Sequence, residues 1–202
     1  MKRLLPFVLA AGLATTLFAQ DEIAQAKSLI QNGRCAEAVA PLQKLYKSSF
    51  RKPAGEKAAV MLAECYMRDH KRDEALKLSS RFLEYYVNSA YRERMELANA
   101  IVMAERGNVY EGVESMLRIL AYTKNPAAKS RTKDVAIQTI AASLLTADQL
   151  QALLEKYPVD KDVIGWLQLQ IGRECQNSRR YRAARYWYKK VLDGGVAENP
   201  SN

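Results

Sequence analysis

From Gln20 onward, apolar residues recur at three- and four-residue steps, and no stretch keeps the strict alternation of a half-buried strand. That spacing predicts amphipathic helices almost throughout. Four short polar runs interrupt it: Asn32-Gly33-Arg34, Asp69-His70-Lys71, Arg106-Gly107-Asn108 and Gln176-Asn177-Ser178. Each follows one amphipathic stretch and precedes another, so the helices are expected in pairs.

A period runs through these pairs. Small residues stand just after each interruption, at Ala38, Ala75, Gly112 and Ala184. The first two gaps are 37 residues, and the last is 72, which is two periods of 36. One more unit is therefore expected in between. Residues 132–158 supply it, with two helices around Leu144-Leu145-Thr146. A fixed period of this size marks stacked supersecondary units. Each unit closes its apolar face only against its neighbours.

At these positions the residues resemble the tetratricopeptide family. The last unit has Ile171-Gly172, Cys175, Ala184, Tyr188 and Val191 in the family's order of small and large residues. The second has Leu62-Ala63, Tyr66, Ala75 and Phe82, with Ser79 where a large residue is expected. The first offers Ala26, Leu29, Ala38, Leu42 and Leu45, and the third Ala100, Met103, Gly112, Met116 and Ile119. Small residues let two helices approach, and large ones fill the groove between them. The period exceeds the family's usual value of about 34, and the fourth unit lacks the small-residue signature.

The resemblance implies an all-α, right-handed solenoid of about five helical hairpins over residues 20–195. It also implies a concave groove lined by the first helix of each hairpin. By register that groove would take Lys57, Val60, Glu64, Met67, Arg94, Leu97 and Ile101, then Trp166, Gln170, Arg173 and Asn177. The Lys and Asn set with which some relatives clamp a peptide's terminal carboxylate is not reproduced.

The start of the chain reads as an address. Lys2 and Arg3 precede a short apolar run from Leu4 to Phe18, and Ala19 stands before Gln20-Asp21, where charge returns. This is the pattern of a signal peptide over residues 1–19, cleaved after Ala19; the competing reading is an uncleaved membrane anchor, for which the run is short and holds Pro6, Thr15 and Thr16. No Cys near the cut offers a lipid anchor. No later segment is long and apolar enough to span a bilayer. A periplasmic or secreted location is therefore expected, and that setting argues against nucleic acid as a partner.

Charge sharpens one end. The whole chain carries +9, and residues 161–195 hold eight Lys or Arg against three acids. Arg179 to Leu192 is expected to be the second helix of the fifth hairpin. Ala183, Ala184, Trp187, Tyr188 and Val191 would face its partner helix, with Tyr181 at another expected core position, and Arg182, Arg185 and Lys189 would face water. Tyr186 would stay exposed among the arginines. Arg179, Arg182, Arg185 and Tyr186 are thus a second candidate surface, since exposed aromatics beside Arg are interface-like. Residues 196–202 read as a polar tail, or as a linker to a following domain of a longer chain.

Nothing in the pattern points to catalysis. The lone histidine, His70, falls in an expected turn, and no phosphate-loop, dinucleotide or zinc-protease motif is present. No cofactor or metal is expected. Three cysteines, Cys35, Cys65 and Cys175, leave at least one unpaired. A Cys35–Cys65 bridge is one pairing the count allows, and ordinary buried thiols are the other reading. The expected function is a non-catalytic scaffold or adaptor that binds a protein or peptide of the cell envelope. The alternative is electrostatic binding of an anionic envelope polymer or surface through the fifth hairpin. Export makes the first prediction: the mature chain begins at Gln20. Intact-mass measurement of the protein from its producing cell tests this, and a product retaining residues 1–19 contradicts it.

Overall fold

In the computed structural model, the four polar interruptions are one turn used four times. Each contains, or in the last case is followed by, a residue in the left-handed region: Gly33 (φ 74°), His70 (φ 56°), Gly107 (φ 97°) and Arg179 (φ 60°). In each, that residue's amide donates to the carbonyl three residues back, and the next amide donates five residues back. Gly33 reaches Ile30 at 3.1 Å and Arg34 reaches Leu29 at 2.8 Å. His70 reaches Met67 at 3.2 Å and Lys71 reaches Tyr66 at 2.8 Å. Gly107 and Asn108 do the same to Ala104 and Met103, and Arg179 and Arg180 to Gln176 and Cys175. This is Schellman closure, which satisfies carbonyls that a helix end leaves open.

The structure describes residues 6–194, with side chains from Ala19 onward. Among the described residues there are ten helices in five hairpins. They are α1 (Pro6–Gln31) with α2 (Cys35–Ser48), α3 (Pro53–Arg68) with α4 (Arg72–Tyr85), and α5 (Arg92–Glu105) with α6 (Val109–Tyr122). Then come α7 (Pro126–Ala142) with α8 (Ala147–Lys156), and α9 (Lys161–Asn177) with α10 (Tyr181–Asp193). The expected all-α, hairpin-based architecture is what the chain adopts. The expected cleavage point, between Ala19 and Gln20, lies within the unbroken α1. The tail or linker expected over residues 196–202 lies outside the described residues.

The chain forms two compact units, Met1–Asn99 and Ala100–Asn202, with the boundary inside α5. In the first unit Leu42, Leu62, Phe82 and Met95 are among the fully buried side chains. Phe50, in the connection between α2 and α3, stands edge-on to Tyr46, Tyr85 and Tyr86 at 5.9, 5.4 and 5.8 Å. The Arg51 amide donates to the Tyr86 hydroxyl at 2.8 Å, tying that connection to the end of α4. Ser79, small where a large residue was expected, is buried and accepts from the Asn99 amide at 2.9 Å. Asn99 therefore occupies the space that a larger side chain would fill.

In the second unit the core runs through Met116, Leu117, Ile140, Leu150, Leu153, Leu167 and Ile171. Gly112 sits where α5 and α6 come closest. A Cβ there would lie 2.7 Å from the Ala100 carbonyl oxygen and 2.9 Å from Ala104 Cβ. Gly172 makes room for the Tyr188 ring, 2.6 Å from where its own Cβ would be. Tyr188 then donates to Gln176 Oε1 at 2.7 Å. α7 is stacked on α9 through Lys129–Asp160 at 3.0 Å and Lys133–Asp162 at 2.9 Å.

Boundaries differ from expectation at the start of α7 and between α9 and α10, while the α7–α8 turn falls around Leu144-Leu145-Thr146 as expected. α7 starts at Pro126 rather than Thr132, because Asn125 caps it, accepting from the Ala127 and Ala128 amides at 3.1 and 3.3 Å. An Asn followed by Pro is a strong start signal. α7 ends without the left-handed turn. Ser143 is extended (φ −81°, ψ 156°), and a capping box between Thr146 and Gln149 starts α8. Asn177 belongs to α9, and Arg179 takes the left-handed position, so α10 begins at Tyr181.

Two substitutions should move stability in opposite directions. Gly112→Ala forces a Cβ against a carbonyl and a neighbouring methyl, and should destabilise by about 1–3 kcal/mol. His70→Gly relieves a non-glycine residue at φ 56° and should stabilise by up to about 1 kcal/mol. Denaturant titration of both variants against the parent chain reads the two signs.

Candidate binding groove and basic end

The first helices of the first three hairpins supply one groove of about 470 Å³ within the first compact unit. α3 gives Lys57, Val60, Met61, Glu64 and Arg68, spaced by three and four residues so that they share a face. α1 gives Ile23, Lys27, Ile30 and Gln31, and Tyr91 and Arg94 complete the wall. Ile23 and Lys57 also line an adjoining hollow of about 330 Å³ with Gln20 and Lys52. The apolar part of the wall is Ile23, Ile30, Val60 and Met61.

Glu64 organises the charges. Its Oε1 accepts from Arg68 Nη2 at 2.8 Å and its Oε2 from Arg94 Nη2 at 2.9 Å. Arg68 Nη1 also donates to the Ile30 carbonyl at 3.0 Å. Arg68 thereby ties α3 to α1, and Arg94 ties α5 to α3. The lining holds four cations, Lys27, Lys57, Arg68 and Arg94, against the single carboxylate of Glu64. Among the described residues neither Lys27 nor Lys57 is ion-paired, and both are exposed.

The structure thus brings Lys57, Val60, Glu64 and Arg94 together, four of the residues singled out by register. Met67, half-buried, and Leu97, buried, are not among the residues that line the groove. Sequence reasoning did not single out Lys27, Ile30, Arg68 and Tyr91. Arg68 had a readable signal, standing one helical turn after Glu64. Lys27 and Ile30 stand four and seven residues after Ile23, the spacing of a shared helix face.

In the second unit Trp166, Gln170, Arg173 and Asn177 form one stripe along α9, at steps of four, three and four. Trp166 is half-buried, and Arg173 and Asn177 are exposed. Gln170 is only 6% exposed, and its Oε1 has no hydrogen-bond partner. It is therefore not on an open surface.

The basic end departs from the expected core. Tyr181 is 66% exposed and Tyr186 is 55% exposed, while Trp187 and Tyr188 are half-buried. Only Ala184 and Val191 of α10 are buried. The face of α10 that was assigned to packing is wider than α9 alone covers, and no later helix stands among the described residues. Arg182 and Arg185 are exposed, and Lys190 lies 5.6 Å over the Tyr186 ring, which meets Trp187 edge-on at 5.3 Å. Arg179 is exposed and holds the left-handed turn position with its backbone, and the neighbouring Arg180 pairs with Asp148 at 3.4 Å.

Among the described residues no three His, Cys, Asp or Glu side chains are grouped to hold a metal. No helix among them is long and apolar enough to cross a membrane.

These hairpins define the class: an all-helical repeat protein of TPR-like fold. The chain is similar to a crystal structure of nearly identical TPR-like repeats assigned to a kinesin light chain of Podosopora anserina. The TM-score is 0.52 at 15% identity, with 90% of this chain and 97% of that chain covered. A point variant of the same protein gives a TM-score of 0.52 at 16% identity, covering 87% and 93%. The likeness is one of fold. No family model matches the sequence, and no curated protein matches it.

Gln170 supplies a prediction about its own role. Gln170→Met keeps the length of the side chain and removes an unsatisfied buried acceptor. It should stabilise the chain by about 1 kcal/mol, read as a rise in Tm of about 2–4 °C. A fall in stability would show that the amide has a partner it needs.

Proposed function

We propose that this protein is an exported, non-catalytic interaction scaffold, periplasmic or secreted, and that its α1–α3–α5 groove holds a segment of a partner protein. The observation that supports this reading is the composition of the groove. An apolar wall flanked by two unpaired lysines suits a peptide that alternates apolar and acidic side chains. Glu64 adds selectivity, because it already neutralises much of Arg68 and Arg94 and repels an acid placed beside it. The salt-bridged arginines brace the three helices, so the surface is held in place before any ligand arrives, which lowers the ordering cost of binding.

A second reading is favoured by the exposed Tyr181, Arg182, Arg185 and Tyr186 of α10. It is that the fifth hairpin docks an anionic envelope polymer. Its attraction would be mostly electrostatic and would fade steeply with added salt.

Selection from a displayed peptide library, followed by anisotropy titration of the enriched peptides, separates the two. The groove variant is Lys27→Glu with Lys57→Glu, which breaks no ion pair. The end variant is Arg182→Glu with Arg185→Glu. Groove binding predicts enriched acidic-apolar peptides that lose roughly tenfold or more in affinity on the groove variant, equivalent to about 1.4 kcal/mol, and little on the end variant. Loss confined to the end variant, with a steep salt dependence, would transfer the function to α10. No enriched peptide at all would sink the groove reading.

A further inference from the structure

Cys35 opens α2 and Cys65 lies near the end of α3. The two helices follow each other through a short connection and pack together. The start of one is thus set beside the end of the other: Arg68, the last residue of α3, donates from Nη1 to the Ile30 carbonyl, just before the turn that opens α2, at 3.0 Å. Both cysteines are free thiols and buried, at 3% and 0% exposure, and the Cys35 thiol adjoins that of Cys65. Cys175 belongs to α9 of the other compact unit. Two thiols of the three are therefore neighbours in one core.

We propose that Cys35 and Cys65 form a disulfide, a covalent staple between α2 and α3, when the chain folds in the presence of a disulfide oxidant. One cysteine thiolate attacks the oxidant's S–S bond, giving a mixed disulfide and releasing one thiol. The second cysteine thiolate attacks the mixed disulfide and displaces the other thiol. The protein loses two protons and two electrons, and the oxidant is reduced to two thiols. Burial and the adjoining Cys35 thiol push the Cys65 thiol up in pKa. Thiolate is scarce once the helices have packed, so the bond forms during folding, while the sulfurs are still reachable.

The staple has a consequence for the groove. Cys65 stands between Glu64, which organises the groove charges, and Tyr66, which bonds to α2. A bond from Cys65 to Cys35 fixes the end of α3 against α2, and with it the position of Glu64. The bond itself does not depend on what the groove binds, or on where the protein resides.

The test is oxidative refolding of the full chain in a buffer of reduced and oxidised glutathione. Free thiols are then counted in denaturant and a peptide map is made. The expected result is one free thiol, Cys175, a mass lower by two hydrogens, and a linked pair of peptides containing Cys35 and Cys65. The oxidised chain should melt at least about 5 °C above the reduced one. Cys175→Ser should keep the link, whereas Cys35→Ser should abolish it together with the effect of reductant on Tm. Three free thiols, a link to Cys175, glutathione left on Cys35 or Cys65, or a linked chain that melts below the reduced one would each overturn the proposal.

Discussion

The structure depends on how closely the two helices of a hairpin can approach. At Gly112 the second helix lies against the backbone of the first, with the Ala100 carbonyl where a side chain would begin. Ala38, Ala75 and Ala184 are buried at the corresponding places. Close approach brings more atoms into contact, and the resulting packing offsets the entropy of ordering two helices. It also fixes the turn. Two helices this near can be joined only by a chain that reverses at once, and a single left-handed residue between two backbone hydrogen bonds does so. Glycine fills that position at residues 33 and 107, while His70 and Arg179 hold it at a conformational cost. That those side chains persist there indicates that packing, and not the turn residue, determines the reversal.

Much of this was legible in the sequence because it is periodic. The turn, the small residue a few positions later, and the helical spacing between them recur together, and each supports the others. The fourth hairpin was harder to read because it uses different chemistry. An extended Ser143 and a Thr146–Gln149 capping box replace the left-handed turn, and Asn125-Pro126 starts α7 earlier than its apolar pattern suggests. Local capping signals are aperiodic, so a reading built on a repeat passes over them.

The groove was half legible for a related reason. Register within a hairpin locates a helix face, which is why Lys57, Glu64 and Arg94 fell together. It does not say how far that face turns toward the core, and Gln170 lies on the buried side of its stripe. Nor does it show which charges spend themselves on each other. Glu64 takes two arginines from two helices, and only the three-dimensional structure leaves Lys27 and Lys57 as the unpaired charges. The aromatics of α10 illustrate the same limit. Helical spacing put Trp187 and Tyr188 toward α9, where both are half-buried, but it could not show that α9 is too narrow to cover Tyr181.

Net charge is a poor guide to where this protein attracts a partner. Residues 161–195 hold eight Lys or Arg against three acids, yet part of what surrounds them is already engaged. Lys129 and Lys133 reach across from α7 to Asp160 and Asp162, and the Lys133 bond holds the Asp162 carboxyl below its ordinary pKa. Those acids are thus occupied, and they screen the arginines of α10 less than a count of charges implies. In the groove the reverse holds. The count there is smaller, but two lysines stand beside an apolar wall that a ligand can dehydrate, and partial desolvation strengthens each charge contact it makes. A modest charge beside a surface that can be dried discriminates among ligands, whereas a larger one in open water mainly raises the rate of encounter. The two surfaces therefore suit different tasks, with α10 favouring approach and the groove favouring selection.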